Sequence, residues 1–359
     1  MIERPEILAW LRETDPGHLS RLYRRADAVR RATVGEAVHL RGLVELSNHC
    51  VRRCAYCGIS VENASIARYR MTADEVLECA RTAVGLGYGT LVLQAGEDYG
   101  LTRDWVAELV RQIKATTPLA VTLSLGERPD GDLAAWREAG ADRYLLRFET
   151  SDPALFAAIH PPLPGRPSDR LAILRRLREL GYEVGSGVLV GIPGQTWESL
   201  ADDLLRFREL DLDMIGVGPF IPHPETPLGR GLFPRAPEGE QVPADEETTT
   251  KAVALTRLVR PDANIPSTTA LATIGPSFGR ERGLMRGANV VMPNLTPPAY
   301  RKLYEIYPGK AIVSETAEEC RSCLSGRIAI IGRVPGKGPG GRARGARTEP
   351  PARPSPATG

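Results

Sequence analysis

From Gly42 onwards the chain repeats one unit, a short apolar run followed by a stretch of helical periodicity, and this alternation leaves few folds open. The runs read as strands lie at 43–46, 90–93, 119–125, 144–148, 184–190 and 214–217, with weaker ones at 265–268 and 289–292. Helical stretches separate them at 133–139, 169–180, 197–210 and 246–259, and Thr72-Ala73-Asp74-Glu75 reads as a capping box that starts a further helix running to about residue 86. Parallel strands joined by helices form an open doubly wound sheet or a closed barrel, and eight units predict an α/β fold with a complete (βα)8 TIM barrel over 39–332. Two amphipathic helices within 5–31, with Ile7, Leu8, Trp10 and Leu11 on one face and Leu19, Leu22, Tyr23 and Val29 on the other, predict an N-terminal helical cap over 1–38. Residues 333–359 are Pro, Gly and Arg with almost no large apolar side chain, and a disordered tail is expected there.

In a barrel the chemistry sits at the C-terminal ends of the strands. Gln94, Glu97, Ser124, Glu127, Arg147, Glu149, Gly191, Thr268, Thr269 and Met292 all fall at or just beyond such ends. Any one of them reads equally well as an ordinary loop residue, and only the repetition argues for a site. Cys50, Cys54 and Cys57 follow the first strand and open on the same face. Their C-x3-C-x2-C spacing suits three irons of a [4Fe–4S] cube with the fourth iron left open. Zinc is the competitor, but a structural zinc wants four ligands and no fourth Cys or His follows at finger spacing. Arg52 and Arg53 between the cysteines argue against three thiols that merely pack in a core, as Cys79 is expected to do within its helix. Tyr56 stands where it can stack on a planar ring. The turn Gln94-Ala95-Gly96-Glu97-Asp98 offers close backbone approach and a carboxylate for an ammonium, and Gly191-Ile192-Pro193-Gly194 a second glycine-marked turn with backbone groups free for a ligand.

Six cysteines in 359 residues do not make a disulfide framework, and their clustering favours metal binding in a reducing compartment. No apolar run is long enough to span a bilayer, and Met1-Ile2-Glu3-Arg4-Pro5 lacks the layout of a secretory signal, so a cytoplasmic protein without a membrane partner is expected. A net charge of +2 argues neither for nor against nucleic acid, and no nucleic-acid partner is expected.

The cysteine motif with its aromatic residue, the Gly96-Glu97 turn and the Gly191-Ile192-Pro193-Gly194 turn together resemble the radical S-adenosylmethionine enzymes. Tyr69-Arg70-Met71-Thr72, Leu93 to Asp98, Val121 to Glu127, Ala141 to Arg147, Gly218-Pro219-Phe220-Ile221-Pro222-His223-Pro224 and Ala288 to Asn294 resemble the HydE-type maturases of [FeFe]-hydrogenase, over about residues 38–340. Biotin synthase and methylornithine synthase are related branches. The resemblance implies that the open iron chelates the amino and carboxylate groups of S-adenosylmethionine and that one electron cleaves its S–C5′ bond to a 5′-deoxyadenosyl radical. It implies cofactor contacts from Tyr56, Glu149, Arg170, Gln94 and Tyr300, with Glu149 and Arg170 for the ribose and the carboxylate, although Arg170 reads equally as a structural ion pair. Ser124, Arg147, Thr268, Thr269 and Met292 are expected to line the cavity for a small iron species carrying cysteine, CO and cyanide, while Arg147 can equally be fixed by Glu149 or Glu127. A ferredoxin or flavodoxin as electron donor and other hydrogenase maturases are the implied partners.

Cys320 and Cys323 form a late C-x2-C. Some relatives carry a third cysteine upstream, where this chain has Ile312, so the accessory cluster is expected to be missing and the pair to be a labile metal site, a disulfide or without a role. Two alternatives stay open: a methylornithine-synthase-like mutase acting on an amino-acid-derived substrate, and an iron–sulfur scaffold or carrier without radical chemistry.

Overall fold

A computed structural model describes residues 2–310 and 317–342, giving for 317–322 the course of the helix alone. Helices α1 (Arg4–Arg12) and α2 (Pro16–Val34) come first, α2 capped by the Asp15 carboxylate, which accepts from His18 N at 2.8 Å. The alternation follows as β1 (Ala37–Ser47), α3 (Ala73–Gly85), β2 (Thr90–Ala95), α4 (Arg103–Thr116), β3 (Ala120–Ser124), α5 (Asp130–Glu138), β4 (Arg143–Leu145), α6 (Pro153–Ile159) and α7 (Arg170–Glu179). It continues through β5 (Glu183–Val190), α8 (Trp197–Glu209), β6 (Met214–Pro219), α9 (Glu246–Val259), α10 (Thr269–Ile274), α11 (Gly279–Met285), β7 (Val290–Val291), α12 (Pro298–Arg301), α13 (Ala317–Ile330) and β8 (Val334–Pro335). The expected capping box is present: Thr72 accepts from Glu75 N, and Glu75 accepts from Thr72 N at 2.8 Å.

All strand pairs are parallel, in the order β6-β5-β4-β3-β2-β1-β7, with β8 pairing the first residues of β1. Parallel strands covered by helices are apolar on both faces, and Val44, Leu91, Leu93, Val121, Leu123, Val188, Val190, Ile215 and Val217 are buried accordingly. The helices close the outer layer with stripes such as Val106, Leu109, Val110 and Ile113 of α4 and Leu200, Leu204 and Phe207 of α8. Fully burying one such side chain stabilises by about 1.5–3 kcal/mol. α1 packs against α8 and α9, and α2 against α9, so the N-terminal helices extend this outer layer. β1 begins at Ala37, inside the span assigned to the cap.

The continuous path of the sheet is a parallel half-barrel of seven strands, with β8 attached to β1 alone, and the strand expected at 265–268 does not form. Single bridges take its place, Met214 to Asn264 and Pro266 to Val290. Pro266 has no N–H to give a ladder. The weak strand at 289–292 shortens to Val290–Val291, and the one at 144–148 ends at Leu145. Among the described residues no helix is long and apolar enough to cross a membrane.

The tail departs from expectation as well. Disorder from residue 333 does not hold for 333–342, which lie as a strap across the N-terminal ends of the strands. Gly336 N donates to Val38 O at 2.7 Å, Pro339 O accepts from Thr90 Oγ1 at 2.9 Å and Arg143 Nη2 at 3.0 Å, and Gly340 O accepts from Arg41 Nη2 at 2.9 Å and Asn264 Nδ2 at 3.1 Å. Arg342 closes the strap on Asp262 at 2.6 Å and on Asp211 and Asp213 at 3.0 Å each. Gly89 is the seat: a Cβ there would stand 1.8 Å from Gly338 O. Gly89→Ala should therefore expel the strap at a cost of about 1–3 kcal/mol. Urea unfolding and protease cleavage within 333–342 check this, and unchanged values of both would show that the strap is not seated on Gly89.

Candidate active site

The C-terminal ends of the strands open on a cavity of about 350 Å3. Cys50, Cys54, Cys57, Tyr56, Gln94, Ser124, Arg147, Glu149, Arg170, Thr268, Thr269 and Met292 all line it, drawn from loops and strand ends up to 242 positions apart in the chain (292 − 50 = 242). Tyr300 does not. Its ring stacks on Tyr69 at 4.6 Å and its hydroxyl donates to Glu75 Oε1 at 2.8 Å, outside the cavity. Tyr304 and Tyr307 take the place on the cavity wall, Tyr304 accepting at its hydroxyl from Gln94 Nε2 at 3.2 Å.

The cysteine loop has no regular secondary structure, so other groups must satisfy its backbone. Arg68 does most of this. Its guanidinium donates to the carbonyls of Asn48, Ile59, Ser60 and Asn63, the last three at 2.7–3.0 Å. Gly96, read as an approach for a ligand, instead receives the loop itself, since a Cβ there would stand 2.3 Å from His49 O and 2.8 Å from Cys50 Cβ. Cys54 is buried, and Cys50 and Cys57 are half-buried. Burial pushes all three thiols up, Cys54 to about 12.

Around the loop lies a network of buried charge. Glu97 carries Arg52 Nε at 2.9 Å and accepts from Glu127 N and Tyr99 Oη at 2.9 Å each, so its carboxylate is engaged by the protein and is not left for an ammonium. Glu127 accepts from Arg52 Nη2 at 2.8 Å, Arg170 Nε at 2.9 Å and Ser168 Oγ at 2.6 Å, with His160 Nε2 at 2.9 Å. Burial raises its pKa, but the hydrogen bond with His160 and the charge of Arg170 outweigh this and hold the carboxyl at about 2. Burial takes His160 down to about 4, so its ring is neutral at pH 7. Arg170 also donates to Arg147 O, so it is ion-paired with Glu127 while it lines the cavity. Arg147 is fixed by Glu149, at 2.9 and 3.1 Å from Nε, and not by Glu127. Glu149 itself has φ +61°, a left-handed backbone uncommon for a side-chain-bearing residue, held between Gly187 O and Leu189 N.

Thr268 is the N-cap of α10, accepting from Leu271 N at 3.2 Å, and this places Thr268 and Thr269 at the cavity. The Gly191 turn is closed on itself. Gly191 N donates to Gln195 Oε1 at 2.7 Å and Gly194 N to Gln241 Oε1 at 2.9 Å, leaving neither amide for a ligand. Sequence reasoning passed over Arg41, Arg52, Glu45 and Lys310 on the cavity wall. Lys310 donates to Glu45 Oε1 and to Tyr304 O. Burial lowers Arg41 to about 9, and its Nε, like Arg52 Nη1 and Thr122 Oγ1, has no hydrogen-bond partner among the described residues. Cys79 packs in the core as expected, its sulfur 3.4 Å from Leu295 O. Cys323 is exposed on α13 and away from the cavity, while Ile312 and the side chain of Cys320 lie outside the described residues.

The donor set fits an iron–sulfur cluster. Three thiols at one cavity are kept protonated by burial, and thiolates become stable there when a metal supplies the positive charge. Among the described residues no three His, Cys, Asp or Glu side chains close on a single point as ligands of one ion would, whereas the thiolates of a cube bind separate irons.

Residues 44–224 match the model of the Radical SAM superfamily. The [FeFe] hydrogenase maturase subunit HydE of Thermotoga maritima is 48% identical over 330 residues, covering 92% of this chain and 91% of the relative. The 3-methylornithine synthase of Methanosarcina acetivorans is 31% identical over 277 residues, covering 76% and 74%. Among solved structures, methylornithine synthase superposes with a TM-score of 0.79 at 27% identity, covering 94% of this chain and 95% of that one. With the cysteine loop, the cavity and this likeness together, the chain belongs to the radical S-adenosylmethionine superfamily, as an enzyme of the HydE-type [FeFe]-hydrogenase maturases.

Proposed function

We propose that Cys50, Cys54 and Cys57 hold a [4Fe–4S] cluster that binds S-adenosylmethionine, and that the enzyme acts on a small iron species carrying cysteine, CO and cyanide on the way to the di-iron subcluster of the hydrogenase. The observation that carries this reading is the meeting of three thiols with nine further expected residues at one cavity, in a chain 48% identical to a HydE subunit. When bound, the cluster supplies the electron that cleaves S-adenosylmethionine to its 5′-deoxyadenosyl radical. The chain's own residues bind, orient and exclude water. Tyr56 stacks on the adenine. Glu149, oriented by Arg147, takes the ribose hydroxyls, and Gln94 with Tyr304 borders the cofactor. Arg170 acts from behind, holding Glu127 and the Arg147 carbonyl. Ser124, Thr268, Thr269, Met292 and the guanidinium edge of Arg147 face the substrate. Bridges through Asn264 and Pro266 close the seven strands into the complete (βα)8 barrel that keeps the radical from solvent. A ferredoxin or flavodoxin in the cytoplasm supplies electrons, other hydrogenase maturases exchange the iron species, and Cys320 and Cys323 hold no stable cluster.

A second reading, a mutase acting on an amino-acid-derived substrate, draws on the superposition with methylornithine synthase over 94% of the chain. The higher identity to the maturase favours the first.

After anaerobic reconstitution with iron and sulfide, reduction in the presence of S-adenosylmethionine should yield 5′-deoxyadenosine. Replacing any one of the three loop cysteines by Ala should abolish both iron–sulfur absorbance and this product, and a brown, cleavage-competent variant would overturn the assignment. Glu149→Gln should weaken S-adenosylmethionine binding about 10-fold, the loss of one charged hydrogen bond, which isothermal titration of the reconstituted protein measures. Cys320→Ala with Cys323→Ala should leave cleavage near the wild-type level, and collapse of product formation would give that pair a role.

A further inference from the structure

Cys54 differs from the other two loop cysteines. Its Sγ lies 3.0 Å from Nδ1 of His160, and among the described residues no side chain makes such a contact with Cys50 or Cys57. His160 is 1% exposed and stands at the C-terminal end of α6. The backbone is tied at the same place, because Ala55 N donates to Ile159 O at 2.8 Å. Neighbouring pairs, 54 with 55 and 159 with 160, thus fix sulfur and ring against each other.

The far side of the ring is equally constrained. Nε2 lies 2.9 Å from Glu127 Oε1 and 3.0 Å from Arg170 Nη2, and Phe156 tilts against the ring face at 5.1 Å. A buried imidazole contacted at both nitrogens and on its face has one orientation available. A metal-bound thiolate has no proton to give, so in the loaded protein the contact persists with the proton on Nδ1. The thiol proton leaves when the metal binds and the single ring proton passes from Nε2 to Nδ1. Nε2 thus gives up its donation to Glu127 Oε1 and accepts from Arg170 Nη2, while the Glu127 carboxylate keeps Arg170 Nε, Ser168 Oγ and Arg52 Nη2. Hydrogen bonds to cluster sulfurs tune the reduction potential, since a donor favours the more negative, reduced state.

We propose that His160 is a positioning residue of the cluster, its Nδ1–H donating to the Cys54 thiolate, fixing that ligand and raising the reduction potential of the centre. This rests on the reading of Cys50, Cys54 and Cys57 as cluster ligands.

The test compares the reconstituted full chain with His160→Leu and His160→Gln, the second of which retains an amide donor. Leu should shift the midpoint potential in the negative direction, followed by electron paramagnetic resonance in a redox titration, and should speed iron loss to a chelator ~10-fold. Gln should recover part of both changes. In wild-type protein labelled with 15N-histidine, the reduced cluster should show a ring-nitrogen coupling that survives His49→Gln and vanishes in His160→Leu. A Leu variant with wild-type potential and chelator resistance overturns the proposal, as does the absence of a ring-nitrogen coupling in wild type, a result that needs no variant to fold. Failure of the wild-type chain to take up a cluster overturns the cluster reading and this inference with it.

Discussion

An ionised carboxylate or guanidinium taken out of water costs several kcal/mol unless an opposite charge and further hydrogen bonds meet it. Glu97, Glu127, Glu149, Arg52 and Arg170 are all buried at the C-terminal ends of the strands. They persist there because each is met: Glu97 and Glu127 share Arg52, Glu127 also takes Arg170, and Arg147 takes Glu149. These pairs join the residues after β2, β3 and β4 to the loop after β1. An irregular segment with three cysteines can therefore lie buried against the strands, although it has no ladder of its own.

The opposite end of the strands is organised by a different device. There the strap presents carbonyls rather than carboxylates, and Arg41, Arg143, Thr90 and Asn264 donate to them. Arg41 and Asn264 belong to the cavity wall as well. The strap is thus coupled to the cavity through the same two side chains, and the lower end is closed by a chain segment that approaches closely because Gly89 has no Cβ.

Much of this was legible in the chain. The strands and helices announce themselves through periods of 2 and 3.6 residues, α9 falls on the residues expected, and the Thr72 capping box is visible as a local pattern. Where reading failed, the deciding interaction was not local. Glycines near the C-terminus read as disorder, yet the pairing of Gly338 with Gly89 links positions 249 apart (338 − 89 = 249). Pro266 sits in the run expected to be a strand but lacks the donor that a strand needs. Tyr300 and Tyr304 are four positions apart in the chain, and their packing against Tyr69 and Gln94 separates them. His160 gave no signal, because its partners Cys54 and Glu127 lie 106 and 33 positions away.

The network also divides the cavity's donors into two kinds, and this division bears on what the site can hold. Arg147 and Arg170 line the cavity but direct their Nε atoms to Glu149 and Glu127, so their guanidinium groups are oriented before any ligand arrives. Arg52 Nη1, Arg41 Nε and Thr122 Oγ1 are buried on the same wall without a hydrogen-bond partner among the described residues. A buried donor without a partner is costly in a finished fold and is a feature of a site whose polar content is completed by something bound. The paired groups hold the frame, and the unpaired ones leave donors of the cavity wall open.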